Sequence, residues 1–120
     1  MSLTILLAAE DAPRARAALS LALAQAALGG RVRLYAHERA VAALVAVPRP
    51  DDESVVLAKS GLPDRLAMLT MAVESGVTLI ACQTGLAMTG LTIGDLAQGI
   101  EAGGLVGLLA TLGDDRLVTF

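Results

Sequence analysis

The feature that most restricts the fold is the run Val77-Thr78-Leu79-Ile80-Ala81, which is apolar at nearly every position and ends in Cys82, the chain's only cysteine. A strand with one wet face would alternate. This one does not, so it is expected to be covered on both faces, as strands are in a parallel sheet flanked by helices. Cys82 then stands at the strand's carboxyl end, the edge of an open α/β sheet where ligands and chemistry gather. Gln83, Thr84 and Gly85 follow, so a turn beyond the thiol can point backbone N–H groups back at it.

Strand-like and helix-like stretches alternate along the rest of the chain. Leu3 to Ala9 is apolar on both faces and closes at Glu10 and Asp11, which places Glu10 at the same sheet edge as Cys82. Asp11 or its neighbour caps a helix that carries Pro13 in its first turn, where a missing N–H costs nothing. From Ala15 to Leu28 the only polar side chains are Arg16, Ser20 and Gln25. Such a helix is buried on two sides, one toward the sheet and one toward a neighbour. Gly29-Gly30 ends it.

Val32 to Ala36, interleaved with Arg31, Arg33 and Tyr35, reads as a second strand nearer a sheet edge with one wetter face, and His37 follows at its carboxyl end. Glu38 to Val47 reads as a short apolar helix or helical turn. Pro48 to Glu53 reads as a loop, and Pro48 to Ser60 as the most mobile interior segment. Ser54 to Ser60 fits either a short strand or a crossover. Pro63 to Glu74 reads as a helix. Thr92 with Asp95 predicts a capping box opening a helix to Ala102. Leu105 to Leu112 reads as a buried strand, and Arg116 to Phe120 as the last one. The pattern predicts one domain over residues 1–120, a three-layer α/β/α sandwich with a mainly parallel five-stranded sheet. Strand order stays open, and the last strand, reached through a short turn, is antiparallel or pairs elsewhere.

Composition excludes several classes. A net charge of −3, with Tyr35 and Phe120 as the only aromatic residues, offers neither a basic footprint nor stacking platforms for nucleic acid. Ser75 to Gly94 is uncharged, but four threonines, a glutamine and four glycines interrupt it, so no membrane span is expected. Neither a phosphate-binding loop nor a dinucleotide fingerprint is present, and one histidine with one cysteine cannot build a zinc site alone, so no cofactor and no metal are expected. A lone thiol without a secretory signal fits a reducing compartment, the cytoplasm. Hydrophobic residues make up 55% of the chain, which implies leftover apolar surface and subunit association.

Ile80-Ala81-Cys82-Gln83, Met88-Thr89-Gly90-Leu91, and then an acidic residue and Gly103-Gly104 resemble the DsrE/DsrF-like family, particularly its small soluble, peroxiredoxin-like branch. Gly61-Leu62-Pro63, Ala72 to Val77 and Arg116 to Phe120 extend the likeness over the second half, while the first half matches in pattern only. The resemblance implies a homo-oligomer, trimer or hexamer, and a sulfur relay in which Cys82 carries a persulfide exchanged with a donor or acceptor protein. It also brings the segment of Lys59 near Cys82, where the ammonium would favour a thiolate. The branch often has cysteine, two residues, serine and methionine; here Gln83, Thr84, Gly85 and Leu86 follow Cys82, and Thr84 offers a hydroxyl from a nearby position.

Two main readings stand side by side. In one, Cys82 is a nucleophile with a lowered pKa, hydrogen-bonded by Thr84 and the backbone around Gly85, with Gln83, Glu10, His37 and Lys59 as further candidates at the mouth. In the other, Cys82 is a packed small hydrophobe, the acid and the cation are solvated, His37 is a surface-loop residue, and the protein is a non-catalytic small-molecule-binding or interaction subunit. A redox sensor is a third possibility, though a self-contained disulfide cycle would need a second thiol.

Overall fold

In a computed structural model, which describes residues 1–47 and 52–120, the runs Ser2–Leu7 (β1), Arg31–Ala36 (β2) and Thr78–Cys82 (β3) form neighbouring strands. Glu101–Gly103 (β4) and Arg116–Thr119 (β5) flank them, giving the order β4-β3-β2-β1-β5 with every pairing parallel. The helices are Ala12–Ala27 (α1), Asp52–Lys59 (α2), Arg65–Glu74 (α3), Gln83–Thr89 (α4) and Leu105–Ala110 (α5), with 3-10 segments at Glu38–Leu44 and Ile93–Asp95. The fold is α/β, a five-stranded parallel sheet with helices on both faces.

Alternation along the strands sorts the two faces. Ile5, Leu34 and Leu79 are buried on the face that receives α1 and α3. Ala15, Ala18, Leu19 and Ala22 are the buried positions of α1, and three alanines among four let that helix lie close to the sheet. Asp11 caps it by accepting from the Arg14 N–H at 3.1 Å, with Pro13 in the first turn. The opposite face carries Thr4, Arg33 and Tyr35, and there Arg33 reaches α5 through the Leu108 carbonyl at 3.3 Å and the Thr111 hydroxyl at 2.7 Å. Only six residues long, α5 buries Leu108 and leaves Val106 85% and Leu109 54% exposed. That second helical layer is thin.

Three expectations are corrected. The Arg31, Arg33, Tyr35 face of β2 is not a wet edge: β2 is the central strand, with Arg33 and Tyr35 buried. Arg33 is tolerated there because Thr4, Thr111, Leu108 and Asp115 all engage its guanidinium. Leu105 to Leu112 is the helix α5 rather than a strand, a short apolar run being compatible with either. The helix from Thr92 is one turn long. Its capping box forms, with Asp95 Oδ2 accepting from the Thr92 N–H at 2.8 Å, but Ala46 and Ala97 then tie the chain to its neighbour through Asp95 and Leu44 carbonyls at 3.0 and 2.9 Å. Of the two alternatives for the last strand, pairing elsewhere holds: α5 carries the chain back across the sheet, and β5 lies parallel to β1 at its free edge. Ser54 to Ser60, left between strand and crossover, falls mostly in helix α2, and of the expected loop from Pro48 to Glu53, residues 48–51 lie outside the described residues.

Candidate functional site

Cys82 is both the last residue of β3 and the N-cap of α4, with φ −61° and ψ 123°. Its sulfur takes the place that a serine or aspartate oxygen usually fills at a helix start, accepting from the Gly85 N–H at 3.4 Å. The first-turn N–H groups, which have no partner within a helix, are thus turned onto the thiol. Gly85 is required by packing. A Cβ there would run into the backbone carbonyl of Glu38 and lie 2.8 Å from Val41 Cγ1, so α4 sits directly against the 3-10 segment.

Glu38 opens that segment with φ 48°, the only positive φ outside glycine among the described residues. A left-handed non-glycine conformation is costly and marks a constraint imposed by its surroundings. Here it accompanies a Glu38 backbone N–H beside Cys82 that favours the thiolate. Tyr35, the penultimate residue of β2 and on the same face as Cys82, favours the thiolate through its hydroxyl. Burial pushes the Tyr35 phenol far above its ordinary value, the hydrogen bond to Cys82 and the charges of Cys82 and Glu38 push the same way, and the group therefore stays a donor.

Two opposing effects act on the thiol. Burial pushes it up; the Tyr35 hydroxyl and the N–H groups of Glu38, Gly85 and Thr84 outweigh this and leave it below the ordinary thiol value. Cys82 is only 4% exposed, yet it borders a cavity of about 330 Å³ at the carboxyl ends of β2, β3 and β4. Gln83, Thr84, His37, Gly103 and Leu105 line the cavity as well. His37 Nε2 lies 3.3 Å from Glu38 Oε1, its ring centroid is 6.2 Å from that of Tyr35, and its Nδ1 is buried without a hydrogen-bond partner.

A comparison with family descriptions matches residues 1–120 to the DsrE/DsrF-like family. The chain belongs to that family. No curated protein matches it. Among solved structures, the YchN protein of E. coli is similar at 24% identity and TM-score 0.78, covering all of both chains. MTH1491 of Methanobacterium thermoautotrophicum, a protein of unknown function, is similar at 17% identity and TM-score 0.75, covering 99% of this chain and 98% of its own. BT1422 of Bacteroides thetaiotaomicron, also of unknown function, reaches TM-score 0.61 at 19% identity, with 99% and 94% covered. These likenesses concern the DsrE/DsrF-like fold.

Of the residues singled out in the sequence, Cys82, Gln83, Thr84, Gly85 and His37 come together at this edge of the DsrE/DsrF-like sheet. Glu10 and Lys59 do not. Glu10 borders a separate cavity with Arg39 and Arg65, and Lys59 is exposed in the last turn of α2. From Thr84 it is the backbone N–H that reaches the sulfur. Tyr35 and Glu38 were missed; the one available signal was a lone phenol in an otherwise aliphatic and basic strand. Among the described residues no group of three or more His, Cys, Asp and Glu is placed to hold a metal, and no helix is long and apolar enough to cross a membrane.

Proposed function

We propose that this DsrE/DsrF-like protein is a sulfur carrier that takes up sulfane sulfur on Cys82 and passes it on as a persulfide. The observation that carries the reading is the Gly85 N–H held 3.4 Å from the Cys82 sulfur at the start of α4, beside a cavity, with Tyr35, Glu38 and Thr84 around the thiol favouring its thiolate. A thiol that serves only as packing does not need them. In the uptake step the Cys82 thiolate attacks the outer sulfur of a donor R–S–S–H. The new S–S bond forms as the old one breaks, the donor leaves as R–S⁻ with the electron pair, and Cys82–S–S–H results, with no net oxidation. Delivery is the reverse, with an acceptor thiolate attacking the outer sulfur and Cys82 leaving as thiolate. The same groups stabilise Cys82 when it is nucleophile and when it is leaving group. No cofactor enters either step, and the donor and acceptor are thiol-bearing proteins or small persulfides of a reducing compartment such as the cytoplasm.

The competing reading, a binding or interaction subunit with a structural cysteine, draws on the 4% exposure of Cys82. Intact mass separates the two. Incubation with a low-molecular-weight persulfide, then removal of excess, is expected to leave a species about 32 Da heavier, mapped to Cys82 and lost with dithiothreitol. Cys82→Ser is expected to keep the fold and gain nothing. An unchanged wild-type mass would reject the carrier reading.

We also propose that the chain works as a homo-oligomer, a trimer or hexamer. Support comes from the thinly covered α5 face, where Val106 and Leu109 are joined by Leu117 of β5, 46% exposed on the same side of the sheet as Thr4. Light scattering at tens of micromolar should give three or six times 12.2 kDa. A monomer would remove this part of the proposal.

A further inference from the structure

Among the described residues that line the Cys82 cavity none is lysine or arginine, and apart from the thiol its formal negative charge comes from the Glu38 carboxylate, 46% exposed. Among the described residues the lysine and arginine side chains lie elsewhere, among them Arg31 and Arg33 with Asp115 at the amino end of the sheet, Arg39 and Arg65 at the Glu10 cavity, and Lys59 on α2. The Gly85 N–H is already directed at the sulfur, so an incoming group meets the side chains of Gln83, Thr84 and His37 beside the Glu38 carboxylate.

We infer that this cavity selects its sulfur donor by charge, with Glu38 as the specificity-determining residue: it accepts thiol persulfides carrying at most one negative charge and rejects dianionic sulfur oxyanions such as thiosulfate. The inference rests on the carrier reading for its substrate and on the cavity alone for its charge selectivity. With thiosulfate the thiolate would attack the outer sulfur, the S–S bond would break, and sulfite would leave with the electron pair. Reaching that geometry brings a dianion to a site that already holds a thiolate and a carboxylate, with no lysine or arginine among the described residues lining it to offset them. Thiol persulfides meet half that repulsion or less.

Two rate ratios test this at pH 8, each taken within one protein so that intrinsic reactivity cancels. The first is Cys82 loading by thiosulfate against loading by cysteine persulfide, read by intact mass. The second is alkylation by iodoacetate, an anion, against iodoacetamide, which is neutral. Glu38→Gln is expected to raise both ratios about fivefold, and Glu10→Gln, which changes net charge equally at the other cavity, to leave them within error of wild type. In wild type the iodoacetate ratio is also expected to rise with salt, as screening shortens the reach of the carboxylate. Ratios that ignore both Glu38→Gln and salt would overturn the inference, as would an equal response to Glu10→Gln. If no persulfide loads any variant while the alkylation ratio still responds, the carrier reading falls and the charge selectivity stands.

Discussion

Asp115→Ala is expected to lower the stability of the fold by about 3 kcal/mol, because removing one member of a buried ion pair strands the other. The Asp115 side chain is 3% exposed just before β5, where its Oδ2 accepts from the Thr4 hydroxyl at 2.7 Å and its Oδ1 from Arg31 Nη2 at 2.8 Å. Arg33 Nη2 lies 3.6 Å away, its side chain 11% exposed, while Arg31 is 60% exposed and rehydrates freely. The loss therefore falls on Arg33 and on the Thr4 hydroxyl that also accepts from it.

The same carboxylate gives the fold an acid limb. The Thr4 hydrogen bond holds the Asp115 carboxyl below the ordinary carboxylate value; burial opposes this, and Arg31 and Arg33 reinforce it. A depressed folded-state value means a contribution fully present above the unfolded value of about 3.9 and lost as pH falls through the lower folded one. Urea midpoints measured from pH 7 to pH 2 should show wild type losing this contribution below about pH 4 and Asp115→Ala lacking it throughout. Equal midpoints for the two proteins at pH 7 would mean that the cluster does not hold β5 and α5 to the sheet. Cys82, at the opposite end of the strands, should alkylate equally in both folded proteins.

Gly85→Ala is expected to damage both the packing and the thiol. The new methyl has backbone, the Glu38 carbonyl, in its way rather than a flexible side chain, with Val41 Cγ1 behind it. Overpacking of this kind costs about 1–3 kcal/mol. Moving α4 away from the 3-10 segment also withdraws the Gly85 N–H, and with it the fit of Glu38, from the sulfur. Each hydrogen bond to a charged group is worth about 1.5–3 kcal/mol, so the iodoacetamide rate at pH 7 should fall at least about tenfold as the thiolate fraction drops. A Gly85→Ala protein with wild-type stability and wild-type reactivity would contradict the close packing that aims these donors.

Much of this arrangement could be read from residues alone. Uniformly apolar runs at Leu3 and Val77 imply strands covered on both faces, and helices between them imply parallel pairing, which is the sheet observed. Thr4, Arg33 and Asp115 could not be read so. Their polarity predicts water, and only contacts between residues 29 and 111 positions apart make burial tolerable. Leu105 to Leu112 was misread because six to eight apolar residues carry no decisive period, and Glu101–Gly103 is too short a strand to announce itself. At the site, Cys82 and Gly85 were legible through type and spacing. Glu38 was not, because its contribution is a backbone N–H at φ 48°, which no side chain encodes.

Cys82, buried as it is, is expected to be an ionised and reachable sulfur at neutral pH, and the rate of its alkylation by iodoacetamide against pH decides the question. Wild-type protein is predicted to react in the native state with a midpoint below the free-thiol value of about 8.5, since Tyr35 and three N–H groups outweigh burial. A Cys82 that resists iodoacetamide at pH 7 until the protein is denatured would contradict the account and leave the residue a packed cysteine.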